Sequence, residues 1–426
     1  MTSEAELLAE LNSNFKSAVL PVTIFVGIEV AVGFVGNLFV LYVFLFRYHA
    51  CNFRYFVLCL AFLDFISTLT TMPGEIITQQ NWYAYPFPVL CKVKSFFNVY
   101  TVTGEAVCLC IIAIDRYLKV CKPFGWQIHP RPALFLCGCI LVVAVAMAIP
   151  VSFLWGVSSH IETYKNMSVN VIVCEKDKKY VNSDAPFIYV TTIEVIISIC
   201  LLVMFSLYIF VAKKLILGKS RFQRRTGSQR ATCSSDQCSS AEKALSSDRT
   251  RSEDGYCSTS DDLTTNDLDG KINVEQPSNN STKSNDLCNE VVIEIEDVSV
   301  VTTNRGNPGK IGENASTTIE VAIVLQREDY VNRVRQKTLI MLILTTVFII
   351  TAILYLTLLA FISRSDDILR HMDDHGKSAY FFFFRLVFIN HVINPIVYGC
   401  LDEQFKKVLS DIKQYVATQF KSRTTL

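Results

Sequence analysis

The sequence predicts an all-α membrane protein: a seven-transmembrane helix bundle with a short amphipathic membrane-surface helix after the seventh span. Three observations carry that prediction. Of 426 residues, 51% are hydrophobic and only 19% charged, with a mean hydropathy of +0.33, whereas soluble domains carry about 25% charged residues. Apolar stretches of about 20 residues, the length that crosses a hydrocarbon core, recur seven times. Lysine and arginine gather in alternate connections, as expected of loops held on the cytoplasmic side. The same figures exclude other classes. Lys and Arg total 40 against 39 Asp and Glu, so the chain lacks the basic surplus of a nucleic-acid binder. The 15 Cys are odd in number and sit mostly in apolar runs, as small buried hydrophobes rather than a disulfide framework or zinc site.

In chain order, residues 1–17 are polar and lack the basic start of a signal peptide, which predicts an extracellular N-terminus with span one doing the targeting. The spans fall at 18–46, 53–79, 91–118, 132–155, 186–216, 334–362 and 378–400. Arg47 and Arg54 follow span one, Lys119, Lys122 and Arg131 follow span three, and a run from Lys213 to Arg225 closes span five. With Arg333, Arg335 and Lys337 before span six, these place the C-terminus inside and the N-terminus outside. The sequon at Asn166 then falls in an external loop and reads as glycosylated.

Residues 226–330 are a different material, rich in Ser, Thr, Asn and Asp, with 9 basic and 19 acidic residues. Such a segment buries too little apolar surface to offset its ordering entropy and is predicted to be a disordered third cytoplasmic loop. Within it, residues 291–301 alternate weakly, as a β-prone patch or a docking segment. The predicted partition is therefore 18–225 for spans one to five, 331–401 for spans six and seven, 402–416 for the surface helix and 417–426 for a tail. Phe405, Val408, Leu409, Ile412 and Val416 give the surface helix its apolar stripe, beside Lys406, Lys407 and Lys413.

Polar groups at bilayer depth are costly and are functional candidates. Gly36-Asn37 in span one, LAFLD (60–64) in span two, IDRYLKVCKPF (114–124) closing span three and NPIVY (394–398) in span seven together resemble the rhodopsin-like, class A G-protein-coupled receptors. The resemblance covers both ends of the bundle and implies a plasma-membrane receptor, not an enzyme, that passes an extracellular signal to a heterotrimeric G protein. It implies a disulfide between Cys91 and Cys174, and a switch at Asp115, Arg116 and Tyr117 in which Asp115 holds Arg116 when inactive. It gives Tyr208, Asn394, Pro395 and Tyr398 roles in activation. It also matches Asp64, Asn390 and Asn394 to a polar cluster that holds a sodium ion in relatives; helix-to-helix hydrogen bonding is the plainer reading. Sodium is the only cofactor implied.

Departures bound what carries over. Span four lacks the family's Trp, span five its Pro, and span six has Ala352 and Leu354 where Trp and Pro usually stand, so span six is expected to be straighter. Glu105 adds an acid expected to face Asp64, with His391 as a titratable neighbour, which would make this core sensitive to protons or sodium. Asn98 replaces the Asp of amine receptors, disfavouring an amine ligand, and span seven has no Lys for retinal attachment. Lys94, Glu194 and Arg385 among Tyr355, Phe381 and Phe384 suit a peptide carrying both charge signs, unless the phenylalanines face lipid.

The Ser/Thr-rich loop offers phosphosites for an arrestin-type partner, and Thr424-Thr425-Leu426 fits a PDZ ligand, although three residues also match by chance. Basic loop residues would also meet membrane lipids. A small-molecule receptor, or an ion- or proton-conducting transporter using Asp64, Glu105 and His391, are the alternatives; the chain lacks the internal repeat common in transporters.

Overall fold

The computed structural model describes residues 4–180, 182–232, 313–363 and 372–424. Contacts divide the chain into two units, Met1–Ile216 with Arg333–Leu426, and Leu217–Asn332. Seven helices are long and apolar enough to cross a membrane: Leu20–Phe46, Asn52–Gln80, Pro88–Cys121, Pro130–Leu154, Ala185–Ile216, Val331–Phe361 and His375–Leu401. Each lies within a few residues of the stretch read from hydropathy. Their outward faces are apolar and exposed, as with Ile24, Ile28 and Val35 on span one, because lipid there takes the place of water.

Spans two and four are each broken next to a proline. Span two comprises Asn52–Leu69 and Thr71–Gln80, with Thr70 at φ −124° and ψ −63° between them. Pro73 lacks an N–H, and its ring displaces the carbonyl of the turn before it. Span four stops at Ala148, and a single turn, Val151–Leu154, follows Pro150. Span six has no proline, and its helix runs without interruption from Glu313 to Ser363. In span seven, Asp374–Arg385 passes through a 3-10 turn, Leu386–Ile389, into Asn390–Leu401 with Pro395 inside it.

The region after span four, expected only as a loop, is an antiparallel hairpin of β1 (Trp155–Tyr164) and β2 (Met167–Lys176). Lys165 and Asn166 turn it with φ of 51° and 61°, the left-handed pair that suits a two-residue hairpin. Cys174 of β2 is disulfide-bonded to Cys91 at the outer start of span three, with Cα atoms 5.7 Å apart. Gly156 leaves room for the Asp177 carboxylate, which a Cβ there would push aside.

The N-terminus is a second feature that hydropathy did not show. Residues Glu4–Ala18 form a helix that lays Leu7, Leu8 and Leu11 on Val169, Val171 and Val173 of β2. Phe15 stacks on Trp82 at 5.1 Å and meets Phe381 edge-on at 5.6 Å. Asn12 donates to the Gln80 carbonyl and accepts from the Tyr83 backbone N–H, satisfying groups exposed where span two ends. Neither the spacing nor the length of this segment marked it as apolar, since one narrow stripe in 15 residues carries the contact.

Boundaries of the predicted 226–330 loop are corrected. The span-five helix continues to Thr232 and the span-six helix begins at Glu313; Gln, Arg, Glu and Ala in those stretches favour helix. Residues 233–312, with the 291–301 segment, lie outside the described residues, as do Thr425 and Leu426. The C-terminal helix is Glu403–Thr424, longer than 402–416. Asp402 begins it by accepting from the Phe405 N–H at 2.8 Å, and buried Phe405 packs on Phe39, Phe44 and Tyr398.

Candidate functional site

Polar side chains collect in three layers of the seven spans. At the end bearing the basic loops, Arg116 is buried and ion-paired with the neighbouring Asp115. Asp115 also accepts from Asn52 at 2.7 Å and lies 3.7 Å from the Lys119 ammonium. Above it the Thr345 hydroxyl donates to the Tyr208 hydroxyl at 3.2 Å. Tyr117 packs edge-on against Phe210 at 6.3 Å with Lys122 over its ring. Tyr398 is fully buried beside Phe44, its hydroxyl without a hydrogen-bond partner among the described residues.

Mid-span, Gly36 lets span seven approach closely: a Cβ there would lie 2.7 Å from the Pro395 ring. Asn37 donates to the His391 carbonyl at 2.6 Å, so the turn before Pro395 is tied to span one. Asn394 donates to Asp64 Oδ2. His391 Nδ1 lies 3.1 Å from Asp64 Oδ1 and 2.8 Å from Glu105 Oε1. All three residues are at most 3% exposed. The expected proximity of Glu105, Asp64 and His391 is therefore present. Asn390 departs from its expected place beside Asp64: it exchanges hydrogen bonds with Thr351 of span six at 2.8 and 3.2 Å, although it lines the same cavity as Asp64 and Glu105. Sodium, a hard cation served by oxygen donors, fits this set poorly because an imidazole nitrogen stands between the two carboxylates.

At the outer end, Glu75, absent from the sequence-derived site, is the centre. The kink at Thr70 precedes it by one turn. One carboxylate oxygen takes the Lys94 ammonium at 3.1 Å and the other takes the Arg385 guanidinium. Lys94 also donates to Thr78 at 3.0 Å, and Arg385 lies over the Phe384 ring at 4.7 Å. Lys94 and Arg385 therefore share one counter-charge inside the protein, since burial without a partner would cost both cations several kcal/mol. Phe381 belongs to the cluster with Phe15 and Met72. Tyr355 stacks on Phe384 at 4.6 Å. Its hydroxyl reaches Asn98 and feels the charges of Arg385, Glu75 and Glu194. Glu75 and Glu29 carried a usable signal, namely an acid inside an apolar span.

Outside the spans, the Lys179 N–H and the Lys92 ammonium hold the Asp177 carboxyl below its ordinary value. Burial and the Lys337 charge hold His49 below its own. Asn166 stands exposed at the tip of the hairpin.

Comparison with known proteins follows the same residues. The family described as 7 transmembrane receptor (rhodopsin family) matches residues 36–398. The chain is similar to the D(1) dopamine receptor of Carassius auratus, 28% identical over 105 residues, which are 24% of this chain and 29% of that protein. It is 27% identical over 105 residues to the D(1A) dopamine receptor of Xenopus laevis, 24% of this chain and 23% of that one. Against the human D(1B) dopamine receptor it is 29% identical over 103 residues, 24% of this chain and 21% of the relative. The chain thus spans less than a third of each of these relatives. With the 36–398 match, the seven spans and the Cys91–Cys174 bond in place, the chain belongs to the rhodopsin family of seven-transmembrane receptors, multi-pass plasma-membrane proteins that are receptors rather than enzymes.

Proposed function

We propose that this receptor binds an extracellular ligand bearing both a carboxylate and an ammonium, a short peptide by class, and activates a heterotrimeric G protein. The observation that carries the reading is the Lys94–Glu75–Arg385 triad: two cations share one carboxylate, which leaves one positive charge in excess. The buried Nε of Arg385 has no hydrogen-bond partner among the described residues. Glu194, whose charge acts on Tyr355, makes no ion pair among the described residues and supplies the site for an ammonium. A simple amine meets only Glu194. The likeness to dopamine receptors favours that second reading, with Glu194 doing what Asn98 cannot.

In this account the N-terminus and hairpin are outside, with Asn166 glycosylated, and the C-terminus inside. Release of Arg116 from Asp115 opens the G-protein surface. Arrestin-type and PDZ partners would engage the loop and the last residues. The test uses cells expressing wild-type or Glu194→Gln receptor, a panel of G-protein sensors, and three ligand sets: peptides with free termini, the same peptides C-terminally amidated, and dopamine-like amines. Potency at least tenfold lower after amidation supports the peptide reading. Activation by amines that Glu194→Gln abolishes supports the second. Potency indifferent to both changes overturns the triad and Glu194 as ligand contacts.

A further inference from the structure

We infer that Asp64, Glu105 and His391 form a binding site for a transition-series dication, for which zinc is the probe. Spans two, three and seven each deliver one donor, and the three donor atoms lie within 4.8 Å of one another. Bonds of about 2.0–2.1 Å to a tetrahedral ion place neighbouring donors about 3.3 Å apart. His391 Nδ1 already stands 3.1 and 2.8 Å from the two carboxylate oxygens, so these contacts need open by only a few tenths of an ångström. One imidazole nitrogen with two carboxylate oxygens is the donor set of a borderline metal rather than of an alkali ion.

A second observation points the same way. Glu105 Oε1 is buried, and the polar atom it meets is the same His391 Nδ1 that faces Asp64. An Nδ1–H directed at Asp64 cannot serve Glu105 as well, whereas a metal ion between them would satisfy all three atoms. Asp64 and Glu105 line a small cavity with Phe348, Asn390 and Asn394, where an amide oxygen or a water would complete the coordination. Charge agrees. With a neutral imidazole bonded to the metal, the Asp64 and Glu105 carboxylates together balance the charge of one dication.

The experiment uses the full-length receptor in lipid nanodiscs after chelator treatment, titrated with zinc against a chromophoric chelator, with thermal unfolding followed in parallel. Wild type is expected to bind one zinc and to unfold at a higher temperature with it, while about 0.15 M sodium alone gives no such rise. His391→Gln and Glu105→Gln should each weaken zinc binding by more than about 100-fold, as losing a directly bonded donor exceeds the roughly 10–100-fold typical of outer partners. His160→Ala should change nothing; His160 lies beside Glu162 and Glu175 on the hairpin and is where surface zinc would collect. Equal binding by wild type and His391→Gln, absence of zinc binding, or stabilisation by sodium only would overturn the inference. Those last two results would leave His391 itself, or the alkali ion, as the counter-charge. If both core variants fail to fold, cobalt in the wild type decides: an intense tetrahedral visible spectrum supports the site, and a weak octahedral one overturns it.

Discussion

Removal of the Glu75 carboxylate is the most demanding perturbation of the fold. Both oxygens are in use, one by Lys94 at 3.1 Å and one by Arg385, and the side chains are 9%, 12% and 8% exposed. Glu75→Gln keeps the volume and one acceptor but leaves two largely buried cations without their counter-charge. Breaking a buried pair by removing one partner costs about 3–5 kcal/mol. At roughly 2–4 °C per kcal/mol for a chain of this order, the unfolding temperature should fall by about 6–20 °C. Thermal unfolding of purified receptor in detergent, read by a thiol-reactive dye on the buried cysteines, measures it. The cause is isolated by adding Lys94→Met to Glu75→Gln. One stranded cation is then gone, and the double variant should regain about half of the loss. A Glu75→Gln receptor unfolding within about 1 °C of wild type would refute the argument that the triad holds spans two, three and seven together.

Other outcomes follow from contacts nearby. Asp115→Asn frees the buried Arg116 and should raise ligand-free G-protein activation severalfold, read with an activation sensor at matched surface expression. Cys174→Ser opens a loop with a sequence separation of 83 and should cost about 2–5 kcal/mol, seen as reduced surface expression. Leu7→Ala removes the side chain that seats the N-terminal helix on β2; hydrogen exchange should accelerate at least tenfold over residues 4–18 while the spans stay protected. Asp177 is held below its ordinary value by the Lys179 N–H and by Lys92. A depressed carboxyl contributes stability above its unfolded value of about 3.9, lost as pH falls through the folded one. Exchange at the base of the hairpin should therefore rise below about pH 4 in wild type, and Asp177→Asn should remove that pH dependence.

Hydropathy settled the number and placement of the spans because a bilayer imposes a length of about 20 apolar residues on each crossing, a constraint local in sequence. The motifs located Asp64, Arg116, Asn394 and Pro395 for a related reason, since each sits at a set distance along one helix. Glu105 facing Asp64 was likewise accessible, as helical spacing puts residues of one span on a common face. Nothing local says which cation a buried acid will meet. Lys94 and Arg385 read as separate charges until the break at Thr70 carried Glu75 between them, a partnership across 310 positions for Arg385. The hairpin and N-terminal helix escaped notice because each is too short to show a period that stands out, and their packing joins segments distant in sequence, Leu7 upon Val169 and Val171. Sequence alone determined the seven crossings and the depth of the Asp115–Arg116 pair along span three, because solvent and helix period act residue by residue. Tertiary structure alone decided how the charges are paired, because pairing depends on which side chains different helices bring within a few ångströms, and Coulomb energy in a dry interior is set by that distance.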